Sequence, residues 1–433
     1  MITTAIRQLY PSDLDSWKDL YTGETHADHL ISRVLSDFDT FGSKFIDYFE
    51  RIISHGELPK STTRDRLKAR YLQTYNDYWA PLGEVAAQRQ IRPYRVLLDE
   101  ATQVADDYLK KLGLNLPGAL VYFNKATSIK YFPYTDIAFI GTPYTQVITK
   151  DWMAIPHELG HYLYWNLGST LKATRAEHER LLQRAESVLE ATETMKAWRS
   201  RPELAKVPIR KLILPWFEEA FADVVGVLLA EEEFLHSLET LIKNSAGNLE
   251  ELLEQDGTHV PLSLRPFLRG HAYKIIKKES NTKIWRDFFK DNYEIPDIRT
   301  VKIRFNRPDI DQIIENMSQV SLLALLKDNK EVIETVIPPI EHSIAAFFPL
   351  QEALVEMLVD EIQEIIKKGL PARQKPTAAF DSMVALAEEE TGRTGQQAYE
   401  IILRPAILEG GDQHGPHTAW STHGAHTVPV HNH

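Results

Sequence analysis

The chain has 433 residues, 43% of them hydrophobic and 25% charged, an ordinary globular composition that excludes a disordered, collagen-like or coiled-coil protein and leaves room for roughly two to three folding units. Its formal net charge of −12 removes the positive field on which duplex binding rests, so no nucleic-acid partner is expected. Cysteine is absent, which excludes disulfides, thiolate metal sites and cysteine nucleophiles together and leaves His, Asp and Glu to hold any metal.

The N-terminal stretch has no basic segment followed by an apolar run, and no window approaches the roughly 18 apolar residues of a membrane span. A cytoplasmic protein without a membrane partner is the expectation. Residues 1–115 read as a helical N-terminal region. Leu30, Val34, Phe38, Phe41, Phe45 and Phe49 recur at three- and four-residue steps, the mark of an amphipathic helix or of a broken pair of helices. His26 and His29, three apart near its start, lack a third ligand and read as surface residues.

Near residue 116 the pattern shortens. ALVYFN, SIKYFP and DIAFIGTPYTQVIT are β-branched and aromatic runs broken by turn residues, which predicts a small antiparallel sheet. From Asp151 to Asn166 the spacing becomes helical, with Gly168 as the stop. Pro156 belongs either to the first turn of a short helix or to a kink in a longer one. Residues 169–200 keep helical spacing through Leu181, Leu182, Ala185, Val188, Leu189, Met195 and Trp198 and predict one long, partly exposed helix. Pro202, Pro208 and Pro215 punctuate a connector before the helical run WFEEAFADVVGVLLAEEEFL. Residues 258–275 are mixed, and residues 276–407 form a mainly helical C-terminal region with proline breaks. The tail, 408–433, carries His414, His417, His423, His426, His431 and His433 among small polar residues and predicts a flexible segment. No GxxxxGK[ST] loop occurs, so no ATP-driven protease is expected within this chain.

The chemistry concentrates at Pro156-His157-Glu158-Leu159-Gly160-His161. On a helix, His157 and His161 lie four residues and about 6 Å apart along one face, close enough to hold one Zn²⁺ through imidazole nitrogens. Glu158 sits beside that face, where it can reach an activated water as a general base. A catalytic zinc takes three protein ligands, and the acidic pair Glu219 and Asp223, four apart on the next helix, supplies the rest. Glu219 would complete the ligand set, with Asp223 accepting the outer N–H of a ligating histidine. Glu218 competes as third ligand, but its partner four residues on is Ala222. Partnerless carboxylates are costly among residues as apolar as Phe217, Phe221, Val224 and Val225. For the oxyanion of an attacked carbonyl, His259 is the first candidate donor, followed by Arg265, His271 and Tyr273.

The pair HELGH and EEAFADVVG resembles the gluzincin, or thermolysin-like, zinc metallopeptidases, in which an HExxH helix is followed by a helix bearing Glu-x-x-x-Asp. The resemblance implies a zincin-like catalytic core, His157, His161 and Glu219 as ligands of one Zn²⁺, Glu158 as the base and Asp223 as the orienting carboxylate. It also implies that the strand around Ala138 and Phe139 offers its edge to an extended peptide; Arg265 and Tyr273, in the stretch that follows the glutamate helix, are expected as further substrate contacts. It covers residues 116–275. The stretch from His161 to Glu219 is longer than thermolysin-like enzymes place there, which makes 169–215 a helical insert. No GxMEN-type motif precedes His157, which argues against an exopeptidase. The third histidine of a metzincin would fall on Leu167.

The expected fold is therefore α+β, mostly helical, with a small antiparallel sheet next to the HExxH helix. The expected function is a zinc-dependent peptidase, an endopeptidase hydrolysing peptide or protein substrates with a zinc-activated water and Glu158 as general base. The alternative is a non-catalytic, zinc-stabilised helical module that meets a protein partner through its helical regions.

Overall fold

A computed structural model describes residues 17–21, 23–55, 64–201, 209–244, 263–277, 300–303, 340–391 and 408–410. In chain order the elements are α1 (His26–His55), α2 (Arg64–Arg89), α3 (Arg92–Leu112), β1 (Ala119–Phe123), β2 (Ser128–Tyr131), β3 (Ala138–Thr142), α4 (Tyr144–Thr149), α5 (Ala154–Trp165), α6 (Leu171–Glu190), α7 (Glu193–Arg199), α8 (Ile209–Asn244) and α9 (Arg265–Lys277). They continue with β4 (Thr300–Ile303), β5 (Ile340–Ser343), α10 (Ile344–Lys368), α11 (Pro376–Thr391) and β6 (Leu408–Gly410). The chain is mostly helical with a small mixed sheet, an α+β architecture. Among the described residues no helix is long and apolar enough to cross a membrane. Two compact units divide it, 1–177 with 366–421 and 178–365 with 422–433.

In the first unit the sheet has the order β1-β3-β2-β6. β1 runs parallel to β3, Leu120 opposite Phe139, whereas β2 is antiparallel to both β3 and β6. Val121, Ile129 and Ile140 are fully buried, as β-branched residues are when helices cover a sheet. The apolar stripe of α1 supplies Ile31, Val34, Phe38, Phe41 and Phe45 to one core with Leu120, Tyr122 and Phe139. Phe41 alone meets Tyr78, Tyr134 and Phe380 edge-on or tilted, with centroids 5.7–5.9 Å apart, the arrangement that ring quadrupoles favour. Arg89 of α2 is buried and bonds Asp99 and Thr102 of α3 and the Val121 carbonyl of β1. One guanidinium thus fixes two helices to a strand, and its donors are satisfied where water cannot reach.

α5 begins after Met153 and carries Pro156 in its first turn, where the missing N–H has no helical partner to lose. Every residue from Ala154 to Trp165 is buried, so the helix is covered all round. Its C-terminal end is tied down: Tyr131 Oη donates to Asn166 Oδ1 at 3.0 Å, Asn166 Nδ2 donates to the Tyr162 carbonyl at 2.7 Å, and Tyr162 Oη donates to the Asp136 carbonyl. A Cβ on Gly168 would lie 2.2 Å from the Thr174 amide nitrogen, so the turn into α6 admits only glycine there.

In the second unit, Arg180 and Arg184 of α6 both bind Glu361 of α10, whose carboxyl they hold below its usual range against the opposing effect of burial. Trp198 of α7 meets Phe347 of α10 edge-on at 5.5 Å. Gln351 Nε2 donates to the Leu264 carbonyl at 3.1 Å, leading the chain into α9. β4 and β5 form an antiparallel pair with Thr300 opposite Ser343.

Several local expectations change. The sheet is mixed rather than antiparallel, because β3 lies between β1 and β2 and takes β1 in parallel. The run expected to continue as strand after Thr142 turns at Pro143 into α4, whose one buried residue is Val147. Residues 169–200 hold two helices, and Thr192 Oγ1 caps the second by accepting from the Met195 amide at 3.3 Å. α8 runs through Pro215, whose fixed φ suits a helix at the loss of one hydrogen bond. Within α8 the backbone breaks at Glu231, φ 51° and ψ −127°. Strands also occur at 300–303, 340–343 and 408–410, in segments read as helical or as tail.

Candidate metal centre

Two of the candidate ligands share α5. His157 and His161 are 1% and 0% exposed, their rings are 4.9 Å apart and nearly perpendicular at 89°, and their Nε2 atoms approach to 3.3 Å. A tetrahedral zinc about 2.05 Å from each of two imidazole nitrogens sets those nitrogens roughly 3.3 Å apart, so the pair fits a shared ion as it stands. Trp165, one turn on, stacks on the His161 ring at 5.8 Å and limits its rotation.

His157, His161 and Glu219 are all buried and each offers one ligand atom, the three atoms lying within 4.8 Å of one another. Among the described residues this is the one such group of three. Two imidazoles and one carboxylate are a donor set that zinc accepts in catalytic sites, where the fourth position belongs to water or substrate. The group can hold a metal ion. Glu158, between the two histidines in sequence, is 1% exposed.

Glu219 does not stand alone on α8. One turn later Asp223, fully buried, takes Arg265 Nε at 2.6 Å and Nη2 at 3.1 Å, together with Arg269 Nε at 3.0 Å and Nη2 at 2.6 Å. Arg265 Nη2 also reaches Glu219 Oε2 at 3.3 Å. Both arginines are on α9, one turn apart, so two carboxylates on one helix face two guanidiniums on the other. The four charges sum to zero, the condition under which buried ions are tolerated. Arg269 also lies 3.9 Å over the Phe234 ring and donates to the Phe234 carbonyl at 3.4 Å. Burial and the neighbouring Arg265 lower its pKa, which Asp223 opposes, leaving it at about 10. A Cβ on Gly226 would lie 2.4 Å from the Phe234 ring, so glycine there lets that ring come in beneath the guanidinium.

The remaining candidates are distributed as follows. Arg265, expected as a substrate or oxyanion donor, is 1% exposed and engaged with Asp223 and Glu219. Tyr273 and His271 are buried on α9, and His271 faces Glu352 and Glu356 at 3.9 and 3.7 Å. Glu218 is on α8 beside Glu219 and is not one of the three ligating residues. His259 and the histidines of the tail lie outside the described residues. His26 approaches Asp106 at 3.4 Å, and His29 is exposed. The free strand edge expected at Ala138 and Phe139 is corrected: β3 is hydrogen-bonded to β1 on one side and β2 on the other, which leaves its backbone no edge for a peptide.

Arg269 went unread from sequence, although its signal is present. Arg265 and Arg269 repeat the four-residue spacing of Glu219 and Asp223 with the opposite charge, among Leu264, Leu268 and Ala272. A cation inside an apolar helical stripe needs a buried anion. No protein-family model matches this chain, and neither a curated protein nor a solved structure matches it.

Proposed function

We propose that this chain is a zinc-dependent peptidase of the gluzincin type, an endopeptidase acting on peptide or protein substrates in the cytoplasm from a zincin-like core. One Zn²⁺ would be held by His157, His161 and Glu219. The observation that carries the reading is the 3.3 Å separation of the two Nε2 atoms within a buried group completed by Glu219, with a glutamate directly following the first histidine. A bound zinc supplies Lewis acidity, acidifying water and polarising a carbonyl.

The chain's own residues supply the rest. Glu158 takes the proton from the attacking water on its carboxylate and delivers it to the leaving amine nitrogen. Trp165 holds the ring plane of His161, and Arg265 Nη2, 3.3 Å from Glu219 Oε2, orients that carboxylate. Burial of the ligands keeps bulk water from competing with them and strengthens each charge interaction. His259 is the first candidate for the donor that faces the oxyanion.

Elemental analysis and cleavage of a broad peptide library test this together. Wild type and Glu158→Gln should each carry one zinc per chain, while cleavage falls by about 10²–10⁴-fold in the variant and is abolished by a chelator in wild type. His157→Ala should lose both metal and activity. If wild type and Glu158→Gln cleave alike, Glu158 is not the base. If wild type binds zinc stoichiometrically and cleaves nothing, the metal supports a helical interaction module and the enzyme reading fails.

A further inference from the structure

The first unit contains a cavity of about 140 Å³, remote in its chemistry from the metal ligands, whose charged lining is Arg33, Asp37, Asp136, Arg373 and Lys375. Arg33 and Asp136 satisfy each other through contacts of 2.7 and 2.6 Å, and Lys375 is exposed. Two charges remain. Asp37 accepts one hydrogen bond, from Thr135 Oγ1 at 3.1 Å, and among the described residues no cation forms an ion pair with it. Arg373 lies over the Tyr131 ring at 4.4 Å, and among the described residues no carboxylate pairs with its guanidinium.

Burial acts on both groups. It pushes the Asp37 carboxyl up to about 6 and the Arg373 guanidinium down to about 10, the directions that follow when a charge leaves water without compensation. Part-buried charges of opposite sign normally pair, because each alone is costly. Here they line one cavity and do not meet. A simple anion would suit Arg373 but be opposed by Asp37, and a simple cation the reverse. A ligand bearing both charges suits both walls.

We propose that this cavity binds a small free α-amino acid, its carboxylate on Arg373 and its ammonium on Asp37. The volume equals that of four to five waters at roughly 30 Å³ each, which suits a molecule with few heavy atoms. The hydroxyls of Ser169, Thr170 and Ser382, also in the lining, offer further donors and acceptors. The site is independent of the metal centre and of any reading of its function.

Isothermal titration calorimetry on the full chain tests the proposal with glycine, L-alanine and L-serine, and with acetate, methylammonium and inorganic phosphate as single-charge probes. At least one amino acid should bind saturably at one site, with each single-charge probe weaker by at least about tenfold, because it makes only one of the two charge-assisted contacts. Arg373→Gln and Asp37→Asn should each weaken the amino acid by at least about tenfold. The proposal is overturned if none of the three amino acids binds at up to about 10 mM, or if acetate or phosphate alone binds as tightly. It is also overturned if both variants melt like wild type and bind like it. Should either variant fail to fold, the comparison of amino acids with single-charge probes on wild type decides alone.

Discussion

Asp223→Ala is the substitution to which the second unit should respond most strongly. The wild-type carboxylate is fully buried and accepts four contacts of 2.6–3.1 Å from Arg265 and Arg269. Removing it leaves two guanidiniums, 1% and 0% exposed, with Glu219 at 3.3 Å from Arg265 as the remaining anion within that quartet. Deleting one partner of a buried ion pair costs about 3–5 kcal/mol. At about 2–4 °C per kcal/mol for a unit of this size, the thermal midpoint should fall by roughly 6–20 °C. Far-UV circular dichroism across a urea titration, with chelator present so that metal affinity does not enter, measures the loss. Charge is separated from volume by Asp223→Asn, which keeps the shape but aims amide hydrogens at guanidinium hydrogens. Adding Arg269→Met to it removes one charge of each sign, and the double variant should exceed the sum of the single effects in stability by about 1–3 kcal/mol. A loss below about 1 kcal/mol in Asp223→Ala, or additivity within about 0.5 kcal/mol in the cycle, would refute the shared neutralisation.

Two further outcomes follow from the same physics. Gly226→Ala should gain up to about 1 kcal/mol from helix propensity but lose about 1–3 kcal/mol by overpacking, because its Cβ would sit 2.4 Å from the Phe234 ring that supports Arg269. The steric cost wins, so a midpoint raised above wild type in a urea titration would contradict the packing described. Asp37 has its carboxyl raised by burial from 3.8 to about 6, so between those values the folded chain holds a proton that the unfolded chain has lost. Its contribution to stability therefore falls as pH rises from about 4 to 6 and stays low above that. Asp37→Asn carries no charge at any pH and should be more stable than wild type at pH 7.5 by about 1 kcal/mol, after allowance for partial exposure. The gain should vanish towards pH 4, and a gain equal at both pH values would show that Asp37 does not titrate as described.

The helix around His157 was legible from its helical spacing, and the candidate site on it from two histidines four apart, an interval that puts both on one helix face. The amphipathic stripe of α1 was legible for a similar reason, since Phe38, Phe41 and Phe45 can be buried together only at helical period. Strand order was not. β1 and β3 are short runs buried on both faces, which carry no alternation to say which strand is central, and the alternation of β2 marks its buried face without naming its neighbours. The edge expected at Ala138 and Phe139 failed on that point. Nor does local spacing reveal that Leu408–Gly410 pairs with β2, because strand pairing over such a distance is set by tertiary packing.

The arginines of α9 stand between these cases. A single buried charge says nothing about its partner, but Arg265 and Arg269 at one helical turn, set beside Glu219 and Asp223 at the same interval, form a pattern with a physical cause. Each helix presents two like charges on one face, which repel at that spacing and cannot be buried alone. Packed against each other, the two faces cancel, and the contact puts Arg265 on both carboxylates. The third ligand of the candidate metal centre is thereby held by a guanidinium whose own position depends on Asp223 and, through it, on Arg269. Arg269→Met should consequently weaken zinc binding by about tenfold or more, as loss of an outer-shell partner does, while Arg269→Lys, which keeps the charge, should recover part of that affinity. Competition of wild type and both variants against a fluorescent zinc chelator measures the effect, and equal affinities in all three would detach the arginine pair from the metal site.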